Sequence, residues 1–153
     1  MKKLAIVVFL VLAGCRRQVQ VTTAPTSTTP AASTATGAAT AREAVQLFLA
    51  TAKSQDIQAM SGIWGTQSGP IRGTMPREQV EQRAIYIMRC LRHDSYSILD
   101  ETQAKDSERV FTVQVRRGTL APASRFIATP GPHGRWYLRD FQLEALNSIC
   151  TSK

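Results

Sequence analysis

The stretch TAREAVQLFLATAKSQDIQAMSGIWG, from Thr40 to Gly65, opens the folded part of the chain. Thr40 and Glu43 have the capping-box spacing, in which a hydroxyl accepts from the first free backbone amides and a carboxylate returns to the cap. Apolar residues then recur at spacings of three and four, namely Ala44, Val45, Phe48, Leu49 and Ala52. This periodicity predicts an amphipathic helix that packs one face against other elements.

Two further helices are predicted before the chain changes to strands. Ser54-Gln55-Asp56 interrupts the first helix, and Asp56 is placed to cap a short second one. Glycine and proline between residues 65 and 73 then break the helical pattern. The third helix is predicted to begin with Thr74 as its cap and Pro76 in its first turn. Its apolar face consists of Val80, Ala84, Ile87, Met88 and Leu91.

From Tyr96 onward the apolar period changes to two, which is typical of strands. The predicted runs are 96–99, 109–117, 124–129 and 135–143, separated by polar or glycine- and proline-containing turns, and 143–149 predicts a last helical turn. About 114 residues suffice for one compact domain with one core. Helices followed by an antiparallel meander therefore predict a single α+β domain over residues 40–153.

The residues before Thr40 have a different composition. Lys2 and Lys3 precede an unbroken apolar run over residues 4–13, the pattern of an export signal. This run is shorter than the about 20 apolar residues that a membrane-spanning helix needs. Residues 16–39 are mostly Thr, Ala, Ser and Pro, which predicts a disordered linker. The predicted organisation is a signal peptide over 1–14, a linker over 15–39 and the domain.

Leu12-Ala13-Gly14-Cys15 resembles the bacterial lipobox, and the resemblance covers those four positions. It implies that the Cys15 sulfur receives a diacylglycerol, that cleavage occurs before Cys15, and that palmitate-type acyl chains anchor the mature lipoprotein in a membrane of the cell envelope. In Gram-negative cells an aspartate after the cysteine resembles an inner-membrane signal. Arg16 stands there instead, which favours the outer membrane. The alternative is an ordinary secreted protein.

The net charge of +8 reflects 19 basic and 11 acidic residues, but four of the basic ones precede the domain. Without Lys2, Lys3, Arg16 and Arg17, 15 basic residues remain against 11 acidic. A basic chain invites a nucleic-acid interpretation, yet no recognition motif or aromatic-interleaved basic run is present. We therefore expect no nucleic-acid partner, and anionic lipid head groups are the favoured counterpart of this charge.

Cys90 and Cys150 are the thiols that remain if Cys15 is acylated. Outside the cytoplasm an even pair is normally oxidised. The sequence predicts a disulfide between them that ties the end of the third helix to the C-terminal segment. Two buried free thiols are the alternative.

The element order resembles the nuclear transport factor 2-like fold, a cone in which a bent sheet wraps the helices. The resemblance spans residues 40–143 and rests on AREAVQLFLATAKSQDIQAMSGIWG at the start and GRWYLRDFQLE at the end. It implies that Trp136 lies in the core; another α+β arrangement is the alternative. The family includes isomerases, dehydratases and catalytically silent binding or dimerisation modules, so the fold leaves the function open.

An open cone would hold a ligand between aromatic side chains. The candidate lining residues are Trp64, Tyr86, Tyr96, Phe111 and Tyr137, and core packing is the alternative for all five. An enzyme would also need an acid or base with a shifted pKa in that cavity. Tyr86 and Asp140 are candidates only, and no catalytic residue is assigned. His93-Asp94 could form a dyad, but the favoured interpretation is that Asp94 caps or turns the chain and His93 complements the C-terminal dipole of the third helix. Two histidines without an acidic cluster predict no metal site, and no cofactor is expected.

Two classes of function follow, and a structural spacer without a ligand is what remains if the domain has neither an apolar patch nor a cavity. The favoured one is a non-enzymatic envelope lipoprotein that binds a protein or cell-wall partner, or pairs with itself, through an exposed apolar patch on the meander. The other is a small-molecule binder or isomerase-like enzyme, which requires a cavity of about 300 Å³ or more with convergent polar groups.

Overall fold

The computed structural model describes residues 36–152, which form four helices and six strands. The helices are α1 (Ala41–Ser54), α2 (Ile57–Ile63), α3 (Arg77–Cys90) and α4 (Asn147–Thr151). The strands are β1 (Gly65–Thr66), β2 (Gly69–Pro70), β3 (Ser95–Gln103), β4 (Arg109–Arg116), β5 (Ala123–Pro130) and β6 (Trp136–Phe141). The predicted α+β class is confirmed. The predictions for the signal peptide, for Cys15 and for residues 16–35 lie outside the described residues.

The first two helices begin and end where their caps predict. Thr40 Oγ1 accepts a hydrogen bond from the Glu43 backbone N–H at 3.1 Å, and the Glu43 carboxylate returns to the Ala39 N–H at 2.8 Å. Gln55 adopts a left-handed conformation, with φ of 57°, and ends α1. Asp56 Oδ1 then accepts from the Ala59 N–H at 2.9 Å and starts α2.

The start of α3 differs from the prediction. The N-cap is Pro76, which makes no side-chain capping bond, so the predicted Thr74 cap is wrong. The Thr74 hydroxyl instead donates to the Ile71 carbonyl at 3.3 Å and closes a 3₁₀ turn over Ile71–Gly73. Because α3 begins at Arg77, Thr74 lies two residues before the N-cap position. The predicted apolar face of α3 is confirmed, because all five of its residues are buried.

The four long strands form one antiparallel sheet in the order β3-β4-β5-β6. β3 continues to Gln103, beyond its predicted end at residue 99. Ile98 pairs with Val113 and Asp100 with Thr112, which leaves Leu99 as an extra bulge residue. The bulge reverses the alternation of faces, so a period of two cannot be read through it.

A second bulge shapes β6. Ala128 pairs with Leu138 and Ile127 with Asp140, which leaves Arg139 as the extra residue. Leu138 and Phe141 consequently both contribute to the core although they are three residues apart, while the Asp140 side chain is exposed. Because bulges bend strands and increase their twist, the two irregularities curve the sheet.

The core lies between α1 and the inner face of the sheet. Phe48 of α1 contacts Phe141 with ring centroids 5.8 Å apart, and Phe141 stacks on Phe126 at 5.4 Å. The largest fully buried side chains come from both layers: Phe48, Phe111, Phe126, Leu49, Met60, Leu91, Leu138, Leu146, Ile149, Val45, Val113 and Val115. The space between the helices and the sheet is therefore occupied by side chains.

The two ends of the described chain are held to this core. Ala38 forms a bridge with Trp136 through two backbone hydrogen bonds of 2.8 and 2.9 Å, so residues 36–39, assigned to the linker from composition, belong to the fold. At the other end, the predicted Cys90–Cys150 disulfide is confirmed and joins α3 to α4. Arg117 Nη1 also donates to the Ile149 carbonyl at 3.2 Å.

Candidate interaction face on α3

Exposed apolar side chains concentrate on the outer surface of α3. Ile85 is 60% exposed and Tyr86 is 54% exposed, and the third large exposed hydrophobic residue of the described chain is Leu99, at 56% in the β3 bulge. An apolar patch on the meander was expected; two of the three side chains lie on the helix instead. The outward positions of β4 and β5 mix polar side chains such as Gln114 and Arg125 with Val110 and Ile127, which are only partly exposed.

Grooves flank the ridge that Ile85 and Tyr86 form. The first groove, of about 360 Å³, is lined by Gln55, Ile57, Ile85, Met88, Arg89 and Arg92. The second groove, of about 380 Å³, is lined by Trp64, Gln82, Arg83, Tyr86 and Ile87. We call the ridge and its two grooves the α3 face. Its floor is apolar, and arginines stand beside both grooves.

The charge of this face is positive toward the C-terminal end of α3. Within residues 36–152, Arg83, Arg89 and Arg92 form no ion pair. In the first turn, by contrast, Arg77 Nε contacts Glu81 at 2.6 Å, and this hydrogen bond raises the pKa of Arg77. A cation in the last turn of a helix complements the helix dipole, which accounts for Arg89. It does not account for Ile85 and Tyr86 lying exposed between Arg83 and Arg89.

The five aromatic residues predicted to line a cavity occupy four environments. Trp64 and Tyr86 lie together in the second groove. Phe111 is fully buried in the core, and Tyr96 is half-buried at the start of β3. Tyr137 is buried at 2% exposure on β6. The structure therefore brings together two of the five residues.

The Tyr137 ring packs directly against the backbone of glycine residues, where any side chain would occupy the space of the ring. A Cβ at Gly131 would lie 2.6 Å from the Tyr137 ring, and a Cβ at Gly65 would lie 2.9 Å from it. Both distances are shorter than carbon atoms tolerate, so the ring fills the space that the missing side chains leave. Trp136, expected in the core from the family resemblance, is partly buried and packs against the core cluster.

His93 and Asp94 face different partners and do not form a dyad. His93 is buried, and its Nδ1 lies 2.7 Å from the Leu91 carbonyl oxygen. Because a carbonyl only accepts, Nδ1 carries the proton in this contact. The Asp94 carboxylate accepts from the Gly118 N–H at 2.8 Å and fixes the turn after β4. These contacts give both residues a structural role.

The two acid–base candidates lie on different elements. Tyr86 is exposed on α3, and Asp140 is exposed on β6, where its Oδ1 accepts from the Phe141 N–H at 2.8 Å. Across residues 36–152, no three His, Cys, Asp or Glu side chains come together as a metal-binding group. The sequence analysis did not identify Arg83, Arg89 and Arg92 as one surface. An isoleucine among them, Ile85, was the sequence feature that could have indicated it.

Partial burial raises the pKa of Tyr96 above its ordinary value of about 10. The neutral phenol is therefore favoured in the folded state, and its contribution to stability is complete below about pH 10. This contribution is lost as the pH rises through the folded pKa. We expect the free energy of unfolding to fall in that alkaline range, and the fall to be smaller in Tyr96→Phe, as measured by urea denaturation across pH. A Tyr96→Phe profile that follows wild type contradicts the assignment.

Comparison with known proteins gives no relative for this arrangement: no family model, curated protein or solved structure matches the chain. Among the helices of residues 36–152, none has the length and apolar character needed to cross a membrane.

Proposed function

We propose that this chain is a lipoprotein of the bacterial cell envelope, acylated at Cys15, whose domain is a non-enzymatic binding module. The anchor rests on the charged start, the short apolar run and the lipobox-like Leu12-Ala13-Gly14-Cys15. Two acyl chains on one cysteine supply the two signals that stable anchoring needs. In a Gram-negative cell, Arg16 favours the outer membrane over the inner one.

The domain is proposed to be nuclear transport factor 2-like. The supporting observation is the packing of the helices on a curved antiparallel meander, in the order that the family resemblance implies. In such a cone a ligand cavity would open between α1 and the sheet. Here Phe48, Phe111 and Phe126 fill that region and are fully buried, which favours a silent module over an isomerase or dehydratase.

The α3 face carries the binding proposal. Solvent-exposed Ile85 and Tyr86, with apolar grooves on both sides, present the kind of surface that marks interaction sites. The three arginines beside it make this surface positively charged, and a positive surface favours anionic partners. The grooves also meet the size expected of a small-molecule site, which keeps a small-molecule ligand as the second candidate.

The mass of the intact mature protein, extracted in detergent, tests the anchor. We expect a chain that begins at Cys15 and carries two or three acyl groups. Cys15→Ser should lose these groups and leave the membrane fraction or remain unprocessed. Cys90→Ser is the matched control, because it removes a cysteine without touching the lipobox and should keep the acyl mass. A Cys15→Ser protein that still floats with membranes would contradict the proposal.

A binding experiment distinguishes the non-enzymatic module from a protein that binds a small molecule. Metabolite mixtures titrated against the detergent-extracted protein should stabilise it thermally if a groove takes a small molecule, because binding to the native state raises stability. A stabilising ligand whose effect is lost in Trp64→Ala and kept in Arg125→Gln would favour the second candidate.

A further inference from the structure

We infer that the α3 face docks on the surface of an anionic phospholipid bilayer, so that the domain lies against the membrane in one orientation. This inference rests on the proposed anchor for its biological setting, but the docking chemistry belongs to the domain. The occupant is the lipid head-group layer of the membrane itself.

The chemistry of the face matches that layer. The first groove places Arg89 and Arg92 beside an apolar floor of Ile57, Ile85 and Met88. Surfaces of this kind bury apolar side chains at the boundary between head groups and acyl chains while arginines contact the phosphates. A tyrosine fits the same boundary, because its ring is apolar and its hydroxyl is polar. Tyr86 lies next to Ile85 on the exposed side of the helix.

The charges along α3 favour the part of the helix that carries the ridge. The described acidic residues nearest the ridge along α3 are Glu78 and Glu81, both toward its N-terminal end, and Glu81 is paired with Arg77. From residue 83 to residue 92, the charged side chains are all arginines: Arg83, Arg89 and Arg92. The cationic region therefore coincides with the exposed apolar ridge.

The point at which the chain enters the domain lies beside the same helices. Arg72 Nη2 donates to Thr36 Oγ1 at 2.6 Å, and the Gly37 N–H donates to the Gly62 carbonyl of α2 at 2.9 Å. Arg72 lines a hollow together with Ile57, which also lines the first groove. Residues 16–35 span at most about 70 Å. An anchor at Cys15 thus delivers the domain to the bilayer with its attachment point next to the α3 face.

Tryptophan fluorescence tests the orientation. The mature protein is placed in phosphatidylcholine vesicles, with or without phosphatidylglycerol, in which the acyl chains carry bromine as a quencher. Tyr86→Trp reports on the α3 face, and Arg125→Trp reports on the far side of the sheet as its matched control. Trp64 and Trp136 give the wild-type background. In anionic vesicles and at low salt, we expect the quenching of Tyr86→Trp to exceed this background and the added tryptophan of Arg125→Trp to show no quenching of its own.

Removing two arginines measures how much their charge contributes to the docking. Each basic residue near an anionic surface contributes about 1 kcal/mol, so Arg89→Gln with Arg92→Gln in the Tyr86→Trp background should lower the ratio of docked to undocked protein roughly 30-fold. The same two changes leave the core untouched, and circular dichroism verifies the fold. Arg125→Gln should leave the ratio unchanged.

Three outcomes would overturn the docking. Equal quenching at positions 86 and 125 means that the domain has no preferred face. Quenching that does not depend on phosphatidylglycerol or on salt means that the arginines do not drive the docking. Concentration-dependent self-association that Ile85→Ser abolishes, without lipid dependence, assigns the face to a second copy of the chain. Failure of acylation alone is read separately from the mass, since an unacylated protein that still shows lipid-dependent quenching at position 86 retains the docking and loses only the anchor.

Discussion

Phe111→Ala is expected to lower the free energy of unfolding by about 3–5 kcal/mol, as truncation of a buried phenylalanine does. Phe111 is fully buried on β4, where it pairs with Phe126 of β5 and with Glu101 of β3. Arg42 of α1 lies over its ring, 5.8 Å from the centroid, and also contacts the Glu101 carboxylate at 2.8 Å. The loss should be measured from urea denaturation midpoints.

Tyr86→Ala is the matched control, because it removes another ring that the sequence placed in the same hypothetical cavity. Tyr86 is 54% exposed, so its truncation should change the free energy of unfolding by no more than about 0.5 kcal/mol. A Phe111→Ala protein as stable as Tyr86→Ala would mean that Phe111 lines an open cavity and not the core. The comparison thus separates the two roles that the sequence left open.

Cys90→Ser is expected to cost about 4 kcal/mol, since the disulfide closes a loop with a sequence separation of 60 residues. In the chain-entropy account, the cross-link restricts the unfolded chain more than the folded one. Cys90 is fully buried and Cys150 nearly so, which makes both single serine variants equivalent breaks of the same bond. Thermal and urea denaturation under oxidising conditions measure the effect.

Reduction provides the control for the disulfide. Wild type treated with a reductant should lose most of its advantage over Cys90→Ser, and the double variant Cys90→Ser with Cys150→Ser should resemble either single variant. If Cys90→Ser unfolds at the wild-type midpoint without reductant, the disulfide does not contribute to stability.

Local signals on the sequence predicted the helical half of the fold well. Thr40, Gln55 and Asp56 mark helix ends through bonds to their own neighbours, and such bonds depend little on the rest of the molecule. Thr74 is also a cap-type residue, but α3 begins only at Arg77, so Thr74 does not occupy the N-cap position. The adjacent sequence does not fix the residue at which this helix begins.

The strands contain features that local sequence patterns do not predict. The bulge at Leu99 turns Glu101 toward α1, where its carboxylate meets Arg42 at 2.8 Å. The bulge at Arg139 turns Phe141 inward and leaves Asp140 exposed. Each bulge is fixed by pairing with a neighbouring strand, which is a nonlocal property. Residues 100–103 therefore read as a polar loop although they complete β3.

The candidate site was harder to predict than the fold. The sequence singled out aromatic residues by type, but burial depends on which face of an element each occupies after packing. Phe111 and Tyr137 became buried, whereas Tyr86 remained exposed. The helical period does place Ile85 outside the buried face of α3, between Glu81 and Arg89 on its charged side, and an isoleucine there is a sequence signal for a surface that the aromatic residues did not give.

The two edges of the sheet bear on whether the protein stays monodisperse when it is crowded. An unpaired strand edge offers backbone groups to another chain and promotes aggregation. The β6 edge is occupied by backbone bridges from Ala38 and Trp64. The β3 edge is interrupted by the Leu99 bulge and carries two acidic residues, Asp100 and Glu101, immediately after it. The bulge that redirects Glu101 thus also deters strand-by-strand growth of fibrils from this side.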